Sequence, residues 1–283
     1  MKRLIVNADD FGRHELINQA VERAFKTGCV RSATLMPGGA AFDDAVDCAR
    51  RNPGLGVGIH FTLANGTPVL PPERIPSLVT KSGSFYGDYM AFLKRYARGK
   101  ISLAEVRSEL AAQLEKISRA GVRLTHCDSH QHLHHVPGIT GVVLELAARA
   151  NIPALRVARA SVAEGAENSL GQTVGRLGLA ALAAATARSA RKKRFAMPDH
   201  FAGIVAGESI SEKFMLDLIE KLSDGTTEVM LHPGVDNALL QEFCRWEHDF
   251  ETELAAVTSP RLLNAIEEHN VSVISFAELA RTE

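Results

Sequence analysis

"RLIVNADDFGRHELINQAVERAFKTGCVRSATLM" (residues 3–36) holds two short apolar runs on either side of one helical pattern. The first run, "RLIVNA" (3–8), has strand length. After it, Leu16, Ile17, Val21 and Phe25 fall on one face of a helix, and Gly28 stands where that helix should stop. The second run, "RSATLM" (31–36), is again strand-like. A strand, a helix and a strand in immediate succession predict parallel pairing with the helix packed outside the sheet. The rhythm continues in "LGVGIHFTL" (55–63), "RLTHCDS" (123–129), "ALRVAR" (154–159), "TEVMLH" (227–232) and "VSVISF" (271–276). A long helix is predicted in "SLAEVRSELAAQLEKISRAG" (102–121). It opens on a Ser102–Glu105 capping box, carries Val106, Leu110, Leu114 and Ile117 on one stripe, and ends at Gly121. About seven strands in this order predict an α/β fold, an irregular (β/α) TIM-like barrel with mostly parallel strands and helices outside. No glycine-rich nucleotide loop follows the first strand, which speaks against a doubly wound dinucleotide fold.

A single domain over residues 1–283 accommodates this pattern. Two stretches break the rhythm. Residues 66–88, rich in Pro, Gly and Ser, read as a long ordered loop over one end of the barrel. Residues of about 163–197 read as an alanine-rich helical insertion with a basic end. Within it, "RLGLAALAAATARSARKKRF" (176–195) gathers Arg188, Arg191, Lys192, Lys193 and Arg194 behind an apolar stretch. Such a segment suits peripheral contact with an anionic membrane, a lid or a dimer surface. A solvated helix end is the plainer alternative.

A net charge of -1 provides no field to steer nucleic acid, so nucleic acid is not expected as a partner. No apolar stretch approaches the roughly 20 residues that span a bilayer. The start, "MKRLIVNADD", does not read as a signal peptide, and Cys29, Cys48, Cys127 and Cys244 are scattered without a CxxC pair. A cytoplasmic protein is expected.

The chemistry gathers where the strands end. Asp9 and Asp10 follow the first apolar run, and His60 interrupts the third. Asp128 and His130 close the fourth, and His232 closes "TEVMLH". In parallel α/β folds the carboxyl ends of strands form the functional rim. Each residue alone has a plainer reading: an acidic turn, a hydrogen-bonded core histidine, a hydrated histidine-rich loop, a strand-end cap. Their meeting on one rim carries more weight. Adjacent carboxylates repel unless a cation or shared proton separates them, so one aspartate is expected to hold a metal while the other stays free as a base. Gly56 and Gly58 read as leaving space beside His60. In "CDSHQHLHH" (127–135), His130, His132 and His134 face one side if the chain stays extended; if it turns after Ser129, only His130 need point inward. An Asp–His–His set leaves coordination positions open for water and substrate, as catalytic sites do. One divalent ion is expected, with zinc or magnesium the leading identities. His232, titrating near neutrality, suits a proton donor.

"NADDFG" (7–12), "GIH" (58–60), "DSHQHLH" (128–134), "PDHFAG" (198–203) and "EVMLHPG" (228–234) together resemble the YdjC-like (ChbG-type) carbohydrate deacetylases. "ATLMPGGAAFDDAVDCAR" (33–50) and "PPERIPSLVTKSGSF" (71–85) also resemble the hopanoid-biosynthesis-associated HpnK branch. Pro37-Gly38-Gly39 departs from many relatives, which bears on the substrate-facing wall rather than the chemistry. The resemblance implies metal-dependent removal of acetyl from an N-acetylated sugar. That sugar would be the N-acetylglucosaminyl group of a glycolipid such as a hopanoid, or a chito-oligosaccharide. It implies Asp10, His60 and His130 as metal ligands, Asp9 as general base and His232 as general acid. It also implies His134, Arg156 and Asp199 as polar positions near the substrate. The different-class alternative is a catalytically inactive sugar-binding or regulatory barrel. A two-metal phosphoesterase would want a bridging ligand set that the sequence does not display.

Overall fold

The computed structural model describes residues 1–159, 170–204 and 209–281. Among the described residues there are eight strands: β1 (Lys2–Phe11), β2 (Ser32–Leu35), β3 (Gly56–Phe61), β4 (His126–Ser129), β5 (Ala154–Leu155), β6 (His200–Ala202), β7 (Gly225–Leu231) and β8 (Ser272–Val273). Every pairing between these strands is parallel, in the order β5-β4-β3-β2-β1-β7-β6 with β8 beside β1. The sheet curls into a half-barrel with helices around it. β1 is the longest strand because both its edges are used along their length. One edge pairs β7 from Lys2 to Ala8; the other pairs β8 at Arg3 and Leu4, then β2 from Asn7. A single bridge, Ala154 with Ala196, links β5 toward the segment that leads into β6.

All seven predicted runs contain a strand. The eighth, β6, hides in "PDHFAG", because three residues are too few to show alternation. The run 154–159 yields only two strand residues. Its ladder partner β4 is itself only four residues long, and the other edge offers little beyond Ala196.

The helices are α1 (Glu15–Thr27), α2 (Phe42–Arg51), α3 (Tyr89–Ala97), α4 (Leu103–Arg119), α5 (Ile139–Arg149), α6 (Leu170–Lys192), α7 (Glu212–Lys221), α8 (Asn237–Cys244), α9 (Phe250–Val257), α10 (Pro260–Glu268) and α11 (Phe276–Leu279). α1 buries Ile17, Ala20, Val21 and Ala24 against the sheet. It ends at Gly28, a position where only glycine fits: a Cβ there would lie 2.3 Å from the Val257 carbonyl oxygen of α9. The predicted capping box of α4 is half formed. Ser102 Oγ accepts from Glu105 N at 3.3 Å, but the Glu105 carboxylate turns away to accept from Ser77 N at 2.7 Å. That exchange ties the 66–88 loop to α4. Glu109, fully buried, does the same by accepting from Val69 N and Leu70 N at 2.8 and 2.9 Å, while Ile75 and Leu78 sink into the core. The loop is therefore anchored by its own backbone donors rather than lying loose. Of the expected helical insertion, α6 is present from Leu170, and residues 160–169 lie outside the described residues. No helix among the described residues is long and apolar enough to cross a membrane.

Candidate active site

Successive strand residues normally point to opposite faces, so Asp9 and Asp10 should diverge. They do not. The register of β1 against β2 slips between Ala8 and Phe11, and Asp10 takes a left-handed φ of 61°. This break in the pleat brings both carboxylates toward one histidine: His60 Nε2 on β3 lies 3.5 Å from Asp10 Oδ1 and 4.0 Å from Asp9 Oδ2. A backbone distortion of this kind costs on the order of 1 kcal/mol and persists where surrounding structure holds it.

β4 delivers the next groups. The chain turns after Ser129, with Gln131 and His132 both left-handed at φ 53° and 56°. Of the two readings open in the sequence, the turning one holds, and His130 points inward with Nδ1 3.0 Å from Asp10 Oδ1. The histidines that follow fasten the turn. His134 Nδ1 meets Ser129 Oγ at 2.7 Å and its Nε2 meets the Arg156 carbonyl at 3.2 Å. His135 pairs with Thr186 Oγ1 at 3.0 Å and accepts from Ala158 N at 3.2 Å. Burial keeps both imidazoles neutral, lowering the His135 pKa to about 3 and that of His134 well below its ordinary value.

Asp10, His60 and His130 offer ligand atoms that all lie within 4.8 Å of one another. Asp10 Oδ1 is buried and receives no hydrogen bond among the described residues. His60 Nδ1 is 2.7 Å from Asp128 Oδ1, a contact that places a proton on Nδ1. Burial opposes a second proton, but Asp128, Asp9 and Asp10 outweigh it and raise the pKa; without that proton the Nε2 lone pair faces Asp10. Acceptor then faces acceptor, an arrangement that needs a proton or a cation between. A histidine oriented by a carboxylate beside an unsatisfied carboxylate oxygen fits a divalent ion. Arg13 Nη1 holds the other Asp10 oxygen at 2.6 Å. Burial opposes charge on Asp10, but His130 and Arg13 outweigh it and hold its pKa well below the usual carboxylate range.

Asp9 is not free, as the sequence reading had it. Arg156, fully buried just after β5, grips it with two parallel bonds, Nη1 to Oδ2 and Nη2 to Oδ1, each 2.6 Å. Asn7 Nδ2 and Thr34 Oγ1 add donors at 2.8 and 3.2 Å. Burial pushes the Asp9 pKa up, yet Arg156 and His60 reverse this, so the group is a carboxylate. The same guanidinium contacts Asp128 Oδ2 and donates from Nε to Glu228 Oε1 at 2.7 Å. Three carboxylates thus share one arginine. Burial raises Glu228, on β7, to about 7, and its Oε2 has no partner among the described residues.

His232, half-buried at the end of β7, is held through its backbone N–H by Glu253 Oε2. Burial lowers its pKa, while the charges of Asp10 and Asp9 act against that. Glu253 also accepts from Ile210 N at 2.8 Å and lies 3.3 Å from His248 Nε2. His232, His248 and Glu253 are close enough to form a second ligand set. Glu253 already serves two backbone donors, however, which suits a strut better than a ligand.

The structure brings Asp9, Asp10, His60, His130 and Arg156 together, with His232 close enough for both aspartate charges to act on it. His134 sits behind the cluster, both ring nitrogens engaged in the turn. Asp199 is placed elsewhere: its Oδ2 accepts from Thr226 N at 2.8 Å, at the amino end of β7. The glycines of β3 do not make room for His60. A Cβ on Gly58 would lie 2.5 Å from His126 Cε1, and one on Gly56 would crowd Ser275 and Ser32. Asn7, Glu228 and Glu253 were not singled out from the sequence; the first two stand inside the quoted motifs, and Glu253 has no local signal.

The sequence pattern of the YdjC-like protein family matches residues 3–268. The chain belongs to the YdjC-like family. Among YdjC-like relatives, it is 32% identical to a carbohydrate deacetylase of Geobacillus stearothermophilus over 277 residues, covering 97% of this chain and 96% of that one. It is also 32% identical to a chitooligosaccharide deacetylase of Enterobacter sp. (strain 638), over 98% of this chain and 99% of the other. A crystal structure from Enterococcus faecalis V583, described provisionally as a cellobiose-phosphate cleavage protein, superposes with a TM-score of 0.75 at 30% identity. That match covers 98% of both chains.

Proposed function

We propose that this YdjC-like protein is a metal-dependent carbohydrate N-deacetylase, which hydrolyses the acetamide of an N-acetylated sugar. The observation that carries the reading is the unsatisfied Asp10 Oδ1, faced by the Nε2 of a carboxylate-oriented His60 and by His130 Nδ1. Asp10, His60 and His130 would hold the ion, which supplies Lewis-acid polarisation of the acetamide carbonyl and a more acidic water. Asp9 is the base, kept ionised by the Arg156 fork and aimed by Asn7 and Thr34. An ionised carboxylate held by fixed donors needs no reorganisation before it accepts a proton. Arg156 lowers the pKa of Asp9 and so weakens it as a base, an effect partly relieved because the guanidinium is shared with Asp128 and Glu228. His232 is the acid that protonates the departing sugar amine, and its backbone is fixed by Glu253. Names borne by the relatives support a sugar substrate.

The finer reading is an N-acetylglucosaminyl group, presented on a glycolipid such as a hopanoid or at the end of a chito-oligosaccharide. The exposed basic run Arg191 to Arg194, at and just past the end of α6, supports a substrate presented at an anionic surface. The test is acetate release from diacetylchitobiose and from an N-acetylglucosaminyl hopanoid. Each is assayed with and without anionic vesicles, after chelation and after restoration of zinc or magnesium. Metal-restored acetate release supports the reading; no release from either substrate under any metal refutes it. Preference for the disaccharide without vesicle binding would reject the membrane presentation alone.

A further inference from the structure

Trp246 is the only tryptophan of the chain, and 38% of its surface is exposed. It does not lie on a remote face. Its ring meets that of His232 edge to face, with centroids 5.0 Å apart and planes at 89°. One face of the indole is covered by the imidazole of His248, stacked at 4.0 Å and 18°. The fully buried Phe250 abuts the ring at 5.7 Å and 84°. His248 is itself buried and fixed, with Nδ1 3.2 Å from Ser209 Oγ and Nε2 3.3 Å from Glu253 Oε1. Glu253 is the same carboxylate that holds the backbone of His232. One strut therefore sets both the candidate acid and the seat of the indole.

The indole is pre-positioned with an exposed apolar surface, an arrangement that cuts the ordering cost of binding a flat partner. The residue before it in the chain borders a cavity. Arg245, left-handed at φ 51°, lines a cavity of about 490 Å³ together with Arg13, Asn65, Thr67 and Ser84. Arg13 is the residue bonded to Asp10, so this cavity adjoins the reaction centre. Trp246 follows directly on this lining rather than forming part of it; hydroxyl, amide and guanidinium groups in the cavity and an exposed indole at its margin suit a ligand with an apolar face and a hydroxylated rim. A pyranose ring has both: axial C–H groups on a face, hydroxyls around the edge.

We propose that Trp246 is the stacking platform of a saccharide subsite, seating the face of a sugar ring beside His232. The proposal deepens the deacetylase reading and rests on it for the choice of sugar. As the sole tryptophan, Trp246 reports on its own occupancy. In stopped-flow fluorescence of the wild-type protein, N,N′-diacetylchitobiose should give a saturable emission change before turnover. Trp246→Ala should raise KM for the disaccharide by about tenfold while kcat stays within about twofold, since stacking of this kind stabilises ground and transition states alike. Trp246→Phe should recover most of the loss. Thermal melts of both variants check that the exposed site tolerates the change. A silent fluorescence titration, or an unchanged KM in Trp246→Ala, overturns the subsite. Absence of acetate release from the wild type would sink the deacetylase reading, and the fluorescence signal would still decide the subsite.

Discussion

Glu228→Gln tests the proton balance around Arg156. Arg156, fully buried, is contacted by Asp9, Asp128 and Glu228, so the group carries two more carboxylates than guanidiniums. One of the three is cheapest to neutralise. Burial drives Glu228 to about 7 from an ordinary 4.5, and its partnerless Oε2 is where the proton would sit. The folded pKa of this acid is raised, so the folded state binds the proton more tightly than the unfolded state. Stability from Glu228 is then full below the unfolded pKa and is lost as pH rises toward the folded value. A rise from 4.5 to about 7 corresponds to roughly 3–4 kcal/mol at about 1.36 kcal/mol per tenfold change in proton affinity. Glutamine keeps an oxygen for Arg156 Nε and cannot titrate. Its extra N–H₂ group adds a constant penalty of about 1–3 kcal/mol if left unpaired, which does not depend on pH. The measurement is the difference in urea unfolding free energy, variant minus wild type, from about pH 4 to about pH 8. It should climb by about 2–3 kcal/mol between about pH 4.5 and about pH 7 and then level off. A difference flat to within about 0.5 kcal/mol would refute the assignment of the proton to Glu228.

Other variants isolate the remaining roles. Arg156→Met should destabilise by about 3–5 kcal/mol in the same unfolding assay, because it leaves buried carboxylates uncompensated. Asp128→Asn should weaken zinc affinity by about 10- to 100-fold in a competitive chelator titration, since His60 Nδ1 loses its charged acceptor. An unchanged affinity would show that Asp128 does not orient the ligand. Asp9→Asn and His232→Ala should keep zinc affinity near that of the wild type while kcat for acetate release falls by about 10²-fold or more. Near-normal turnover in either variant removes that residue from its role.

Part of this site could be read directly from the sequence because polar residues in apolar strands cannot hide. Asp10, His60 and His130 each end or interrupt a different hydrophobic run, and parallel topology puts those ends on one rim. The α1 stripe was visible for the same local reason: the apolar residues sit on the helix's period. What failed to show depends on pairing across the chain. Arg156 and Asp9 are 147 residues apart, and nothing near either one announces the fork. Gly58 illustrates the same limit. It looked like space for His60, two residues along the same face of β3. In the sheet it stands one residue before the Ile59–Cys127 pair, beside His126 of β4, whose ring fills the gap and reaches Asn7 Oδ1 at 3.0 Å. Sequence shows that a residue lacks a side chain; only register shows whose side chain takes the room.

Register also gathers charge that the linear order conceals. Asp9 and Asp10 come from β1, Asp128 from β4 and Glu228 from β7, all buried, and Arg13 and Arg156 are the two guanidiniums that bond to them. Four carboxylates against two cations would be costly in a dry site. Burial favours the protonated form of Glu228, which would leave three against two. The carboxylates around His60 outweigh its burial and raise its pKa, so a positive charge is drawn to the space beside Asp10 Oδ1. The local surplus of negative charge and the unsatisfied oxygen therefore coincide in space. A proton on His60 or a cation held by Asp10, His60 and His130 would answer both, and these three side chains are placed so that they could hold one.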